Sequence, residues 1–411
     1  MRVSINNLAV VLPLVLIFVS EYFRFTSPAL GLYLKLFSAL LMVLISFVFG
    51  KFDRNLILFS TLFLPFLVLH FFLSFSYSAA SEELIRYLFP IIILFYGYAI
   101  KENYKFLFKF LIYFLILNYV AQIFNYYFWS QGINQWFYVY TSTGRVNIPA
   151  VAGVLRATGL MGFFSTFGFF NLIMYFLIDF FYEGKFKKTL MVLTVVFLFL
   201  SLSFKGIGTF LFLLFIFSNK KTKIIGITLF VFLMTIILFP SKVAFMVDNA
   251  KIRIEAYISE GNSARSESYR VMLQKTDFLI GEGLGTFGGP ASTKYKSPYY
   301  DKVNFNWYGL PNLPTTDTFY PHLFIEIGFI GTLLYLFLFF VPLLRTRKIR
   351  VKYFKAILII YFALFVDALF TYSLNNLVYL SVSLLLIPSI IYYEKEKENT
   401  DTVSSQYSQS R

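Results

Sequence analysis

The chain has 411 residues, of which 58% are hydrophobic and 21% aromatic but only 14% charged. Soluble domains are usually about 45–50% apolar and about 25% charged, so this composition excludes a water-soluble globular enzyme and a disordered chain. The sequence has no cysteine and two histidines, which excludes disulfides and thiolate catalysis and argues against a metal site.

Long apolar runs recur along the chain and predict an all-α polytopic membrane protein, because lipid offers no partner for exposed backbone groups. We predict about twelve transmembrane helices. They lie near 8–24, 31–49, 56–75, 86–100, 106–129, 159–182, 189–204, 206–218, 224–240, 321–343, 356–372 and 374–392. The pair 189–218 is ambiguous, because its second run is short and the two runs can form one broken hairpin around Lys205. The first run has no small-residue cleavage site, so no cleavable signal peptide is expected.

The loops between the runs alternate in charge. About 21 of the 36 basic residues fall in one set of short loops and the termini, and the positive-inside rule places this set in the cytoplasm. Both termini are therefore expected to be cytoplasmic, and the formal charge of +15 indicates topology rather than nucleic-acid binding. Residues 1–393 form one predicted integral membrane domain, and 394–411, polar and rich in Ser and Gln, form a predicted disordered cytoplasmic tail.

Two outside loops are long, at about 130–158 and about 241–320. Loops of this length are usually functional or independently structured. Apolar and charged residues alternate at helical spacing over 247–272, which predicts two short amphipathic helices near the outer membrane face. The second half, 281–314, is rich in Gly, Pro, Tyr and Asn and is expected to be irregular.

The run Gly283 to Gly288 fits the pattern G-x-G-x-x-G. It follows no strand–turn–helix unit, so it does not indicate a dinucleotide site. These glycines instead predict a tight loop whose backbone N–H groups approach an anion.

Ionisable residues at membrane depth are functional candidates. The candidates are His70, Arg156, Lys205, His322, Glu326 and Asp367. We interpret His70 as a hydrogen-bonded packing residue and Asp367 as the partner of a cation or a hydroxyl. Asp179, near a cytoplasmic end, is expected only to extend towards water.

Separate cations are predicted on the outer side of the membrane. They are Arg145, Arg156, Lys205, Arg265 and Arg270. Arginine binds phosphate through a planar fork of donors, so two or three such groups would suit a diphosphate. The alternative is that the loop arginines pair with carboxylates such as Glu267. Arg156 and Lys205 have no acidic residue nearby in the sequence.

His322 and Glu326 are four residues apart at the start of a predicted span, so they share one helix face. His322 can act as a general base, donate a hydrogen bond or only face the interface. Asp317 can cap the helix or serve as the base. Some aromatic residues can stack on sugar rings or belong to the interfacial aromatic belt: Trp136, Tyr138, Tyr299 and Trp307.

Three segments resemble the bacterial O-antigen polymerase and O-antigen ligase superfamily (Wzy-like polysaccharide polymerases). Residues 265–289, RSESYRVMLQKTDFLIGEGLGTFGG, resemble its R-x-x-x-W/Y…G-x-G-x-G-x-F segment. Residues 316–331, TDTFYPHLFIEIGFIG, resemble the polar loop and span that follow, and 155–168 resemble the R-x-x-G…G segment before a span. Lys205 lies where many members have the arginine of a Ser-Arg-Gly turn. The resemblance covers about 140–345.

The resemblance implies a metal-independent glycosyltransferase of the GT-C-like membrane class that needs no cofactor. It would use undecaprenyl-pyrophosphate-linked oligosaccharides at the outer face of the bacterial cytoplasmic membrane. We predict a polymerase, which joins repeat units into O-antigen or capsular polysaccharide. The alternative within the family is a ligase, which transfers the polysaccharide to lipid A–core. The alternative of another class is a precursor flippase or another transporter.

The resemblance also implies roles for the candidate residues. Five basic residues would contact the diphosphate or glycan: Arg145, Arg156, Lys205, Arg265 and Arg270. His322 would act as the base or position the acceptor, and Glu326 would orient His322 or pair with an arginine. The expected partners are the lipid-linked glycans and the bilayer, and a chain-length regulator is the protein partner considered.

Overall fold

A computed structural model describes residues 5–50, 52–131, 150–151, 154–217, 248, 251, 263–274, 279–308, 315–316, 318–345 and 350–409. These residues are helical apart from turns and one small antiparallel ribbon, in which β1 (Ala150–Val151) pairs with β2 (Val154–Leu155). The prediction of an all-helical protein is confirmed at this level.

The helices of the described residues are numbered in chain order. They are α1 (Ile5–Thr26), α2 (Pro28–Phe49), α3 (Arg54–Phe72), α4 (Tyr77–Ile100), α5 (Tyr104–Ser130), α6 (Phe164–Phe181), α7 (Lys187–Leu200), α8 (Phe204–Phe217), α9 (Ala264–Gln274), α10 (Pro290–Lys294), α11 (Tyr299–Lys302), α12 (Phe319–Phe340), α13 (Val351–Ala368), α14 (Leu377–Ser381) and α15 (Leu386–Gln409). Short 3-10 turns occupy Lys101–Asn103, Gly159–Met161 and Val341–Arg345.

Among the described residues, six helical stretches are long and apolar enough to cross a membrane. They are Ala29–Phe49, Arg54–Phe72, Tyr77–Ser130, Phe164–Phe181, Phe319–Leu344 and Leu377–Lys397. Two shorter apolar helices, Asn7–Phe23 and Phe204–Phe217, accompany them. The stretch Tyr77–Ser130 contains two of the predicted spans, and the predicted span 224–240 lies outside the described residues. The apolar helices indicate a multi-pass membrane protein, whereas twelve spans remain a prediction.

The apolar side chains of these helices point outwards as well as inwards. Val48 is 83% exposed and Phe47 68% exposed, although contiguous apolar surface of this kind is avoided on soluble monomers. Polar side chains such as Asn118 and Gln122 are fully buried. This arrangement suits a surface solvated by lipid, with the polar groups satisfied inside the bundle.

The ambiguous pair 189–218 forms two separate helices, α7 and α8, joined by a sharp turn at Ser201–Ser203. Each has 14 residues and is about 21 Å long, which is short of the roughly 30 Å of hydrocarbon in a bilayer. The turn packs against α6 at Gly168, where a Cβ would lie 2.8 Å from the Ser201 hydroxyl. A glycine at 168 therefore lets the turn approach α6.

Helix α12 is broken at Gly328, which has φ 63° and ψ −172°. The break is closed by the loop that precedes α10. The amide of Glu282 donates to the carbonyl of Ile325 (2.8 Å), and the amide of Gly283 donates to the carbonyl of Glu326 (3.0 Å). Backbone N–H groups of another segment thus donate to carbonyl oxygens that would have no partner within the broken helix.

The described part of the long loop 241–320 contains helices in both halves. Helix α9 confirms an amphipathic helix within 247–272, whereas the expected helix before it lies almost wholly outside the described residues. The segment expected to be irregular contains the short helices α10 and α11. At the other end of the chain, α15 continues to Gln409, although disorder was expected from Glu394.

Replacing Gly281 by alanine should destabilise the junction between the loop and α12. Gly281 has φ +83°, and a Cβ there would lie 2.8 Å from the carbonyl oxygen of Glu326. We expect Gly281→Ala to lower the free energy of unfolding by roughly 1–3 kcal/mol, measured by thermal unfolding of the purified protein in detergent.

Gly208→Ala is the matched control, because Gly208 lies in helix α8 with open space around its Cβ position. It should leave stability unchanged or raise it by up to about 1 kcal/mol. Equal midpoints for the two variants would contradict the packing described for Gly281.

Candidate functional site

A group of charged side chains is fully buried between α4 and α12. His322 Nε2 lies 3.0 Å from Glu83 Oε1, and His322 Nδ1 lies 3.5 Å from Glu326 Oε1. All three side chains are 0% exposed. We call Glu83, His322 and Glu326 the buried triad. It joins two segments that are more than 230 residues apart in the chain.

Each carboxylate of the triad has further partners. Glu83 accepts a hydrogen bond from Arg86 (2.6 Å) and one from the Asn375 amide (3.3 Å). Tyr87 donates its hydroxyl to Glu326 (3.2 Å). Two carboxyl groups therefore face one histidine and one arginine, so each acidic side chain has a basic or hydrogen-bonding partner, as buried polar groups require.

The glycine-rich loop approaches a carboxyl group of the protein itself. The amide of Phe287 donates to Glu326 Oε1 (3.3 Å). The loop can come this close because its glycines adopt positive φ, and at Gly283 a Cβ would lie 2.7 Å from the Leu73 backbone. The pattern G-x-G-x-x-G thus encloses the Glu326 carboxylate.

His322 is oriented through both ring nitrogens. Nδ1 lies 2.6 Å from the carbonyl oxygen of Phe287, which can only accept, so Nδ1–H donates. Nε2 faces Glu83, which already accepts from Arg86 and Asn375. With both nitrogens donating, the ring has no lone pair for a substrate proton. This geometry favours positioning of the loop over general base catalysis.

Lys205 and Asp367 form an ion pair of 2.9 Å between α8 and the end of α13. Lys205 also donates to the Thr371 hydroxyl (3.0 Å), and Thr371 donates to Asp367. The expectation that Asp367 pairs with a cation or a hydroxyl is confirmed on both counts. The lysine side chain is 15% exposed, so the pair lies at the edge of the buried interior.

Arg156 lies beside the same helix junction. Its Nη2 donates to the carbonyl of Leu202 (2.6 Å), and its guanidinium lies 3.2 Å from the ring centroid of Phe164. Stacking on an aromatic face and a bond to a backbone carbonyl fix the plane of the fork. Leu202 belongs to the turn that precedes Lys205, so Arg156 and Lys205 are held by one structural unit.

Helix α9 brings the loop arginines to this end of the bundle. Tyr269 donates its hydroxyl to the carbonyl of Leu369 (3.2 Å), two residues beyond Asp367, and Arg265 interacts electrostatically with Tyr269. Arg270 instead donates twice to Glu267, and this hydrogen bonding raises the pKa of Arg270. Arg270 therefore pairs with a loop carboxylate, which is the predicted alternative to phosphate binding.

The contacts converge on residues 367–372. Tyr372 donates to the carbonyl of Gly288, and its ring lies 5.3 Å from that of His322. The structure therefore connects Lys205, helix α9, the glycine-rich loop and the buried triad at one end of the helical bundle. Arg145, Asp317, Trp136 and Tyr138 lie outside the described residues.

Tyr299 and Trp307 belong to a small aromatic core within the long loop 241–320. Tyr299 packs edge-on against Phe287 (5.9 Å between ring centroids), and Trp307 lies 4.8 Å from the ring of Tyr300. Burial raises the pKa of Tyr300, whose hydroxyl accepts from the amide of Gly288 (2.8 Å). These rings pack together and stabilise the loop. Tyr299 and Trp307 therefore have a structural role, whereas the sequence suggested sugar stacking or the interfacial aromatic belt.

The triad has a spacing that a metal ion can use, since one donor atom from each residue lies within 4.8 Å of the others. Glu83 and His322, however, already engage Arg86, Asn375 and the Phe287 carbonyl. We therefore interpret the triad as a hydrogen-bonded network.

Sequence reasoning missed Glu83, Arg86 and Tyr87. The available signal was the spacing of Glu83 and Arg86, which places opposite charges three residues apart on one helix face. Elsewhere, His70 is confirmed as a packing residue, with its ring nitrogens 2.9 and 2.6 Å from the carbonyls of Phe66 and Ile280. Asp179 lies 3.5 Å from Lys187 in a largely exposed pair.

No protein-family model matches the chain, and no curated protein matches it significantly. The resemblance to the O-antigen polymerase and ligase superfamily therefore rests on the segments quoted above.

Removing Glu83 should destabilise the protein strongly. Glu83→Ala leaves His322 and Arg86 without their shared carboxylate, and breaking one partner of a buried ion pair typically costs roughly 3–5 kcal/mol. Glu82→Ala is the control, because Glu82 is 25% exposed and pairs with Lys294 at the surface, where an ion pair contributes about 0–1 kcal/mol. Thermal unfolding in detergent measures both. Similar midpoints for the two variants would show that the triad does not stabilise the fold.

Proposed function

We propose that the protein polymerises undecaprenyl-pyrophosphate-linked oligosaccharide repeat units at the outer face of the bacterial cytoplasmic membrane. The proposal includes about twelve spans, cytoplasmic termini and a GT-C-like arrangement. The observation that carries it is the grouping of Arg156, Lys205 and helix α9 at one end of the bundle. These are the cations that the family resemblance assigns to a lipid-linked diphosphate.

The reaction needs positive charge at the leaving group. An acceptor hydroxyl oxygen attacks the anomeric carbon of the donor sugar, and the bond between that carbon and the diphosphate oxygen breaks. The undecaprenyl diphosphate leaves with the bonding electron pair, and cations fixed in advance stabilise this developing charge. The guanidinium of Arg156, oriented by Phe164 and Leu202, suits this role.

The hydroxyl proton must pass to a base in the same step. His322 donates from both nitrogens in this arrangement, so we assign it to holding the glycine-rich loop and the acceptor side of the site. Asp317 is our candidate base. The residue before it, Thr316, donates its amide to the carbonyl of Gly288 (3.0 Å), in the loop that His322 contacts.

A transporter is the second candidate, because two observations favour it. Helix α12 is interrupted at Gly328, and α7 and α8 meet at a turn within an apolar region. Interrupted helices of this kind bind substrates in many secondary transporters. A ligase uses the same leaving group as a polymerase and differs only in its acceptor.

Deletion in the source bacterium followed by gel analysis of surface glycan separates the three functions. For a polymerase, the glycan ladder collapses to core plus one repeat unit. Loss of all repeats from lipid A–core, with polymer retained on the carrier lipid, would identify a ligase. Unchanged glycan together with blocked export of another solute would identify a transporter and overturn the proposal.

Arg156→Ala should reduce polymer formation by a factor of roughly 10²–10³, which is typical for removing one donor to a developing anion. Arg156→Lys keeps the charge but loses the planar fork, so it should restore only part of the activity. The measurement is polymer ladder length in a deletion strain complemented at matched protein levels. Lys188→Ala, an exposed lysine at the start of α7, is the control and should complement fully. Full complementation by Arg156→Ala would remove this site assignment.

A further inference from the structure

A cavity of about 420 Å³ lies between the first half of α5 and the second half of α6. Its floor is apolar and includes Leu111, Met174 and Leu177, and two lysines, Lys105 and Lys109, line it as well. An apolar cleft with a few charged groups is the usual form of a site for an amphipathic ligand.

The two lysines place two positive charges in the lining, which an anion would neutralise. Lys105 and Lys109 are four residues apart on α5, where like charges destabilise a helix. Lys105 lies 3.6 Å from Glu396, but its side chain is 75% exposed, and such a pair contributes little. Glu183 is the acidic residue in the lining, so the lining itself contains two basic residues and one acidic residue.

The cavity lies at the opposite end of the bundle from the proposed active site. The side-chain oxygen of Gln122 in α5 accepts hydrogen bonds from the backbone amides of Thr158 and Gly159, which closely follow Arg156 in the chain. Lys109 is 13 positions earlier on α5, or about 20 Å away along the helix axis. A diphosphate bound at Arg156 is therefore too far from Lys109 to contact it.

The charge of the surrounding segments assigns this end to the cytoplasmic leaflet. Lys105 and Lys109 belong to the lysine-rich set of short loops that the positive-inside rule places in the cytoplasm. That leaflet carries anionic lipids, and basic pockets between transmembrane helices on this side bind their headgroups.

We propose that this cavity binds an anionic glycerophospholipid of the cytoplasmic leaflet. The ammonium groups of Lys105 and Lys109 bind the phosphate, and an acyl chain packs on the apolar residues of α5 and α6 that line the cavity. The aromatic rings of Phe108 and Phe181, which pack together with their centroids 5.3 Å apart, border the cleft. The site is independent of the proposed glycan chemistry.

Native mass spectrometry of the purified full-length protein tests the proposal, with phosphatidylglycerol and phosphatidylcholine offered at equal concentration. The wild-type protein should retain phosphatidylglycerol preferentially. The double variant Lys105→Gln, Lys109→Gln should lose affinity for phosphatidylglycerol by roughly fivefold for each lysine removed, while its affinity for phosphatidylcholine stays the same.

Two further variants separate the cavity from general surface charge. Lys185→Gln, Lys188→Gln removes the same charge at the same end of the bundle but outside the cavity lining, and it should keep wild-type lipid retention. Ile112→Trp fills the cavity without changing charge and should lower phosphatidylglycerol retention, with helical content checked by circular dichroism.

The proposal is overturned if the cavity double variant retains phosphatidylglycerol as the wild type does, or if the control double variant loses it equally. Preferential retention of undecaprenyl diphosphate at the same lysines would identify a different occupant and would also overturn it. Because no glycan enters the measurement, its failure leaves the proposed polymerase activity standing, and loss of that activity leaves this site standing.

Discussion

The buried triad of Glu83, His322 and Glu326 is the interaction on which the architecture of the site depends. Charges inside an apolar bundle are tolerated only when they are paired and hydrogen-bonded. Here the pairing joins α4 to α12 and, through Phe287, to the glycine-rich loop. The pairing of three side chains therefore fixes where the glycine-rich loop meets α4 and α12.

The same loop also closes a broken helix. Gly328 interrupts α12. The backbone amides of Glu282 and Gly283 donate hydrogen bonds to the carbonyls of Ile325 and Glu326, respectively. Backbone hydrogen bonds must be satisfied within the protein at this depth, so the break and the loop depend on each other. Backbone hydrogen bonds thus tie the segment that holds His322 to the loop, and α8 and α9 contact residues 369–371.

The two ends of the bundle carry different groups of basic side chains. One end collects Arg156, Lys205 and helix α9 around the triad, where an anionic leaving group would be stabilised. The other end presents Lys105 and Lys109 above an apolar cavity. Under the proposed function, the protein would contact an anionic carrier in one leaflet and an anionic lipid in the other, through different residues.

Composition and hydropathy determined that the chain is a helical, multi-pass membrane protein, because the requirement for apolar, internally hydrogen-bonded spans is local to each segment. They also singled out His322, Lys205 and Asp367, since ionisable residues stand out in apolar runs. The tertiary structure alone decided the partners of these residues. Glu83 meets His322 across more than 230 positions, and the glycine-rich loop donates to Glu326. Such pairings depend on how the helices pack, and no local pattern encodes them.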